Sequence, residues 1–154
     1  MTTPSSPIAW FETSKEHLHR AKNNFESGDY FSAHYWAAFC GETALKAVLV
    51  KCGIDRVNYT HDQFELLDKI RSKNCLPPEV FSQVAHLIKD LGHVDLTSPS
   101  EDNVSYTDTY TPSVTRYPRG EFTPSEMVSK EEASEKIQLA EQLVRILEPI
   151  IYSH

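Results

Sequence analysis

The segment Asp29–Cys52, DYFSAHYWAAFCGETALKAVLVKC, decides the fold of this chain of 154 residues. Apolar residues recur along it at intervals of three and four, which is the spacing of a helix face, and they cover more than half of the helix circumference. One stripe contains Tyr30, Ala33, Ala37, Cys40, Ala44 and Val48, and the stripe beside it contains Phe31, Tyr35, Ala38, Leu45 and Leu49. The sequence therefore predicts one buried central helix with other helices packed around it.

Glu42 and Lys46 are the charged residues that interrupt this apolar pattern. They are four positions apart with the acid on the N-terminal side, the order that favours an ion pair along a helix. Such a pair could line a polar pocket, but a structural pair that fixes the register of the bundle is the more common arrangement. We expect Glu42 and Lys46 to have the structural role.

Helical spacing also occurs on both sides of the central segment. A first helix begins after Pro7 and ends near Ser27, where Gly28 suits a left-handed cap and Asp29 suits the N-cap of the central helix. Two long helices joined by so few residues should lie antiparallel. Further along the chain, residues 60–74 and 78–92 predict either one kinked helix or two short ones.

The last helix begins with a capping box, in which Ser129 is followed three positions later by Glu132. Before it, from about residue 92 to residue 124, helical spacing disappears, and no alternation is long enough to predict a sheet. A long irregular segment inside a small domain is usually functional or partly disordered. The predicted fold is all-α: an up-and-down bundle of four to five helices with one long irregular loop before the last helix.

Composition predicts a single domain that spans residues 1–154, with its core at about 8–152. A hydrophobic content of 40% is enough for a core of that size. The formal net charge of −7 opposes sequence-independent attraction to nucleic acid backbones, so any RNA contact requires a local basic patch.

Cysteine content and the termini indicate the compartment. Cys40, Cys52 and Cys75 include no C-x-x-C pair, which predicts free thiols, no thiolate zinc site and a reducing cytoplasm. The N-terminus lacks the features of a signal peptide, and no apolar run approaches the ~20 residues that span a bilayer. We expect a cytoplasmic protein without a membrane partner.

Several short motifs, in their order along the chain, resemble the HEPN domain family of prokaryotes. These motifs are Gly28–Ala33 (GDYFSA), Gly41–Leu49 (GETALKAVL), Thr60–Asp62 (THD) and Thr115–Pro118 (TRYP), and the resemblance extends from about Trp10 to Ile151. It implies an all-α bundle, frequently a homodimer, encoded in many genomes beside a minimal nucleotidyltransferase with which it forms a toxin–antitoxin pair. Metal-independent RNA cleavage is proposed for one branch of the family, and nucleotide or RNA binding for another.

The cleaving branch carries an arginine and a histidine, separated by four to six residues, near the start of the last long helix. In that scheme the pair activates the ribose 2′-hydroxyl or stabilises charge on the phosphate. Here Arg116 and Arg119 match the position, but no histidine follows them before His154. Arg56 and His61 have the spacing at a different place, where a structural histidine is typical, so they are weak catalytic candidates. The incomplete motif favours a binding protein over an enzyme.

The segment from Tyr110 to Arg119 is the predicted ligand-binding loop. Arg116 and Arg119 can hold a phosphate, and the rings of Tyr110 and Tyr117 can stack on a base. A second interpretation stays open, in which Arg116 pairs with a carboxylate such as Glu42 inside the bundle and Tyr117 packs on the central helix.

We therefore expect a nucleotide- or RNA-binding homodimeric module that acts with a nucleotidyltransferase partner in a toxin–antitoxin type system. The alternatives are a metal-independent endoribonuclease and a non-catalytic dimeric adaptor. The seven histidines show no spacing typical of a metal site, so we expect neither a metal nor another cofactor.

Overall fold

The computed structural model describes residues 5–97, 105–109 and 128–153, which form five helices and one β-hairpin. The helices are α1 (Pro7–Glu26), α2 (Tyr30–Lys51), α3 (Gln63–Ser72), α4 (Pro78–Leu91) and α5 (Lys130–Ile151), and the strands are β1 (His93–Thr97) and β2 (Ser105–Thr109). The helices form a bundle in which α2 contacts α1, α3, α4 and α5. The predicted all-α class is confirmed.

Helix α2 is the central helix that its sequence predicts. Every residue from Cys40 to Leu49 is buried, including the charged Glu42 and Lys46. Burial of apolar area stabilises a fold by roughly 25 cal/mol per Å², so this helix contributes a large share of the folding free energy.

The predicted caps place α1 antiparallel to α2. Gly28 has a φ of +85°, and Asp29 accepts a hydrogen bond from the backbone N–H of Ser32. Contacts between the two helices then join Phe25 to Tyr30 near the turn and Ser14 to Cys40 further away. From one pair to the next, the α1 position moves towards the N-terminus while the α2 position moves towards the C-terminus, as an antiparallel hairpin requires.

Helix α5 begins at the predicted capping residue. The Ser129 hydroxyl oxygen accepts a hydrogen bond from the Glu132 backbone N–H at 3.1 Å. The buried face of α5 consists of Ala133, Lys136, Ile137, Ala140, Leu143, Leu147 and Ile151. This face packs on α1, α2 and α4 and closes the bundle.

A short hairpin lies in the segment that the sequence predicts to be irregular. Strands β1 and β2 pair antiparallel, with a register from His93 opposite Thr109 to Thr97 opposite Ser105. Each strand has five residues and contains β-branched or aromatic residue types, but runs of this length are too short to recognise by alternation.

The prediction of free thiols is wrong for two of the three cysteines. Cys52 and Cys75 form a disulfide with a Cα–Cα distance of 5.4 Å, although they are 23 positions apart in the sequence. They meet because α2 and α3 end side by side, which no cysteine spacing reveals. Cys40 remains a free, buried thiol, and burial raises its pKa to about 12.

Candidate functional site

One stripe of α2 carries the polar residues and aromatic rings from which a site can be built. Tyr35, Phe39, Glu42 and Lys46 follow one another at helical spacing, so their side chains emerge along one side of the helix. We call these four residues the α2 stripe. Its rings are half-buried, whereas Glu42 and Lys46 are buried.

The buried end of the stripe is the Glu42–Lys46 ion pair, which has a polar and an aromatic neighbour. The Lys46 Nζ lies 2.9 Å from the Glu42 Oε2, and the two side chains are 2% and 6% exposed. The same ammonium donates to the Asn58 Oδ1 at 3.0 Å and lies 5.7 Å from the centre of the Trp10 ring. Buried charges are tolerated when they are paired and hydrogen-bonded in this way. The geometry favours a structural role for Lys46.

His61 is the solvent-exposed member of the same cluster. Its Nδ1 lies 3.1 Å from the Glu42 Oε2 and 3.3 Å from the Oε1, while its side chain is 56% exposed. An ionised carboxylate can only accept, so Nδ1 carries the proton and donates. In the neutral ring Nε2 is then the acceptor. Within the described ranges no hydrogen bond to Nε2 is found.

The THD motif holds His61 over α2. The Thr60 hydroxyl oxygen accepts from the backbone N–H of Asp62, and the Asp62 carboxylate accepts from the backbone N–H of Phe64, both at 2.9 Å. Asp62 is therefore the N-cap of α3. The Gln63 side chain then donates to the Ala38 carbonyl at 2.8 Å, which attaches the start of α3 to α2.

Aromatic rings continue the site from His61 along α2. The Phe39 ring lies 6.4 Å from the His61 ring and 4.6 Å from the Tyr35 ring. Trp36 adds a further ring, 6.2 Å from Phe39, and the Arg20 guanidinium lies over it at 5.3 Å. Half-exposed rings beside cations are the features on which nucleic acid bases stack.

His17 beside Trp36 is neutral at physiological pH. The Arg20 Nη1 lies 2.9 Å from the His17 Nδ1, and since arginine can only donate, Nδ1 must accept. Burial and then the Arg20 charge lower the pKa of His17 to about 4. Arg20 is consequently the permanent cation at this end of the rings.

The predicted site residues are only partly brought together. His61 joins Glu42 and Lys46, whereas Arg56 is exposed, and no hydrogen bond between Arg56 and His61 is found in the part of the chain that the structure describes. Tyr110, Arg116, Tyr117 and Arg119 lie outside the described residues. Sequence reasoning missed Asn58 and the approach of His61 to Glu42, because no spacing rule links position 42 with positions 58 and 61.

A second polar region lies between α2, α4 and α5. It is a cavity of about 90 Å³ lined by His34, Asp90, Glu132, Glu135, Lys136 and Leu139. His34 is buried, and desolvation together with the Lys136 charge lowers its pKa to about 3. The Lys136 ammonium donates to the Asp90 carbonyl.

Two kinds of feature, metal-ligand clusters and membrane-spanning helices, are absent from the described residues. No group of three or more His, Cys, Asp or Glu residues there could hold a metal ion. No helix in the same ranges combines the length and the apolar character needed to cross a membrane.

Comparison with known proteins identifies the fold. The family described as HEPN domain matches residues 8–150. The structure is similar to that of an archaeal HEPN homologue, with 21% identity, a TM-score of 0.62, and coverage of 96% of this chain and 98% of the other. It is also similar to the structure of a protein from Thermus thermophilus, with 20% identity, a TM-score of 0.62, and coverage of 93% of this chain and 96% of the other. A third similar structure is that of an HEPN domain protein from Thermotoga maritima, with 19% identity, a TM-score of 0.55, and coverage of 94% of this chain and 98% of the other. The chain matches no curated protein.

Proposed function

Since the chain belongs to the HEPN domain family, we propose that it is a nucleotide- or RNA-binding module that acts with a nucleotidyltransferase partner in a toxin–antitoxin type system. In this proposal the protein is a cytoplasmic homodimer. Arg116, Tyr117, Arg119 and Tyr110 contact the phosphate and base of the ligand, as the sequence predicts.

The observation that carries the proposal is the placement of His61. Its ring is exposed, it is held by the buried Glu42, and it lies 6.4 Å from the Phe39 ring. A nitrogen of fixed orientation beside an aromatic face suits a ligand that combines a polar sugar-phosphate with a flat base. Because the chain carries a net charge of −7, its overall charge does not attract a negatively charged nucleotide or RNA, and such local features must supply that attraction.

Thermal unfolding with and without ligand tests the proposal. A ligand that binds the native state at about 100 times its Kd adds roughly 2.7 kcal/mol to the free energy of unfolding. We expect ATP, GTP or a short single-stranded RNA to raise Tm by several degrees, and Phe39→Leu or Arg116→Ala to reduce that rise.

Arg71→Ala is the matched control for the arginine variant, because Arg71 is exposed on α3 and pairs with Asp68. It should leave the ligand-dependent rise unchanged. Absence of a shift with every nucleotide and RNA, in a protein that sediments as a dimer, would reject ligand binding and favour the adaptor.

The enzyme alternative is supported by the contact between Glu42 and His61. A carboxylate that orients a histidine leaves the opposite ring nitrogen able to accept a proton, which is what general base catalysis needs. RNA cleavage that persists in a chelator and disappears in His61→Ala would support a metal-independent endoribonuclease. Intact RNA after prolonged incubation with the wild type would exclude it.

A further inference from the structure

Cys52 and Cys75 lie at the C-terminal ends of two neighbouring helices. Cys52 caps α2 directly before Gly53, which has a φ of +93°, and Cys75 follows Asn74, which has a φ of +53°. These left-handed residues turn the chain at each helix end and bring the two Cα atoms to 5.4 Å. That separation is in the range a disulfide requires, so the helix ends themselves present the two cysteines to each other.

The two cysteines are also accessible to small thiols, in contrast to the third. Cys52 is exposed and Cys75 is half-buried. Cys40 is buried, and its raised pKa disfavours the thiolate that thiol exchange requires. Reaction with a small disulfide is therefore directed to Cys52 and Cys75.

The bond closes the part of the chain that carries His61. Between the two cysteines lie the turn that contains Asn58 and His61, and the whole of α3. Asn58 and His61 are attached to α2 through Lys46 and Glu42, and the disulfide attaches the far end of α3 to the end of α2. The closed segment is thus held on α2 at both of its ends.

We propose that Cys52 and Cys75 are a reversible redox modification site, and that closing the bond holds the His61 segment on α2. The reaction partner is a low-molecular-weight disulfide of the glutathione class. In reducing compartments, disulfides of mesophilic proteins are usually transient and catalytic or redox-sensing, which fits an accessible pair whose bond closes the segment that carries His61.

Closure proceeds by two exchange steps. The Cys52 thiolate attacks one sulfur of glutathione disulfide, which forms a mixed disulfide and expels one glutathione thiolate. The Cys75 thiolate then attacks the Cys52 sulfur, which forms the protein disulfide and expels the second glutathione thiolate. The protein loses two protons and two electrons, and the small disulfide is reduced to two thiols. Excess reduced glutathione reverses both steps.

Thiol labelling across glutathione redox buffers tests the modification. In oxidising buffer the native protein should take up no alkylating label, and in reducing buffer it should take up label at Cys52 and Cys75 while Cys40 stays unlabelled. If both cysteines remain free thiols after equilibration with excess glutathione disulfide, or remain bonded in excess reduced glutathione, the proposal of a reversible site is overturned.

Hydrogen exchange and thermal unfolding test the structural consequence. Reduction should lower Tm by roughly 5 to 10 °C and speed amide exchange in residues 54–72 by about tenfold or more, because the tether that limits opening is removed. Exchange in α1 and α5 serves as the internal reference. Equal exchange of residues 54–72 in both redox states would overturn the proposal.

The Cys52→Ser/Cys75→Ser variant is the matched control. It should behave like the reduced wild type and should not respond to the redox buffer, whereas a response in the variant would reject the assignment to these cysteines. An effect of closure on ATP or RNA binding rests on the proposed function. Because labelling and exchange need no ligand, a failure to bind any nucleotide would reject the proposed function alone.

Discussion

Glu42 is the residue through which the candidate site is connected to the core. Its carboxylate accepts hydrogen bonds from Lys46, one turn further along α2, and from His61 in the loop before α3. The ion pair is nearly sealed from water, while the histidine is exposed. A single carboxylate therefore neutralises a buried cation and orients an accessible ring.

Glu42→Gln should destabilise the protein strongly. The change removes the negative charge that compensates Lys46, and the loss of one partner of a buried ion pair typically lowers the free energy of unfolding by about 3–5 kcal/mol. Because the glutamine keeps one oxygen that can accept from Lys46, we expect a loss near the lower end of that range, about 3 kcal/mol. Urea unfolding measures the difference in the free energy of unfolding.

Glu141→Gln is the control for that prediction, because Glu141 forms a 2.9 Å ion pair with Lys22 at side-chain exposures of 36% and 47%. Its loss should cost at most about 1 kcal/mol. Equal costs for the two variants would contradict a special role for burial at Glu42.

His34 should make the stability fall in acid. Its folded pKa of about 3 lies below the unfolded value of 6.5, so the unfolded chain binds more protons between those values. The free energy of unfolding should decrease as the pH falls below 6.5, by about 2 kcal/mol for this histidine at about pH 5. Denaturant unfolding at a series of pH values measures the slope.

His34→Gln should reduce that slope but not abolish it, because the folded pKa of His17 is also lowered, to about 4. An unchanged slope in His34→Gln would show that His34 is not the titrating group.

Gly41 governs the distance between α2 and its neighbours α3 and α4. A Cβ atom at this position would lie 2.6 Å from the Gln63 Oε1 and 2.8 Å from the Leu91 Cδ2, both closer than such atoms can approach. The absence of a side chain therefore lets Gln63 reach the Ala38 carbonyl. The same contact fixes the start of α3, and with it the turn that carries His61.

Gly41→Ala should cost about 1–3 kcal/mol through overpacking, even though alanine favours a helix by about 1 kcal/mol. The displaced Gln63 should also shift the NMR resonances of His61. Gly28→Ala offers a comparison, since its φ of +85° is strained for alanine but no atom lies within 4 Å. It should lower stability by about 1–2 kcal/mol without affecting His61. A His61 shift in both variants would argue against the role of Gly41.

Among the described helices the bundle is organised around α2, which contacts each of the other four. Local opening costs the least free energy where an element has few buried contacts. Native-state hydrogen exchange should therefore show the slowest amides between Ala37 and Leu49, and faster exchange in α3, which has ten residues. Equal protection of α2 and α3 would mean that the bundle opens as one unit.

Much of the fold is encoded in local patterns. The apolar circumference of α2, the left-handed Gly28 and the caps Asp29 and Ser129 are all readable from the sequence, because helical spacing and capping involve residues within a few positions of each other. The hairpin was not predicted, since each of its strands is too short for alternation to be distinguished from chance.

What the sequence determined by itself is the central helix, its ends and the pairing of Glu42 with Lys46 one turn along. Tertiary structure alone decided that His61 meets Glu42 across 19 positions and that Cys52 meets Cys75 across 23. The physical reason is that contacts within a helix follow from its repeat, whereas contacts across a loop depend on how α3 packs against α2.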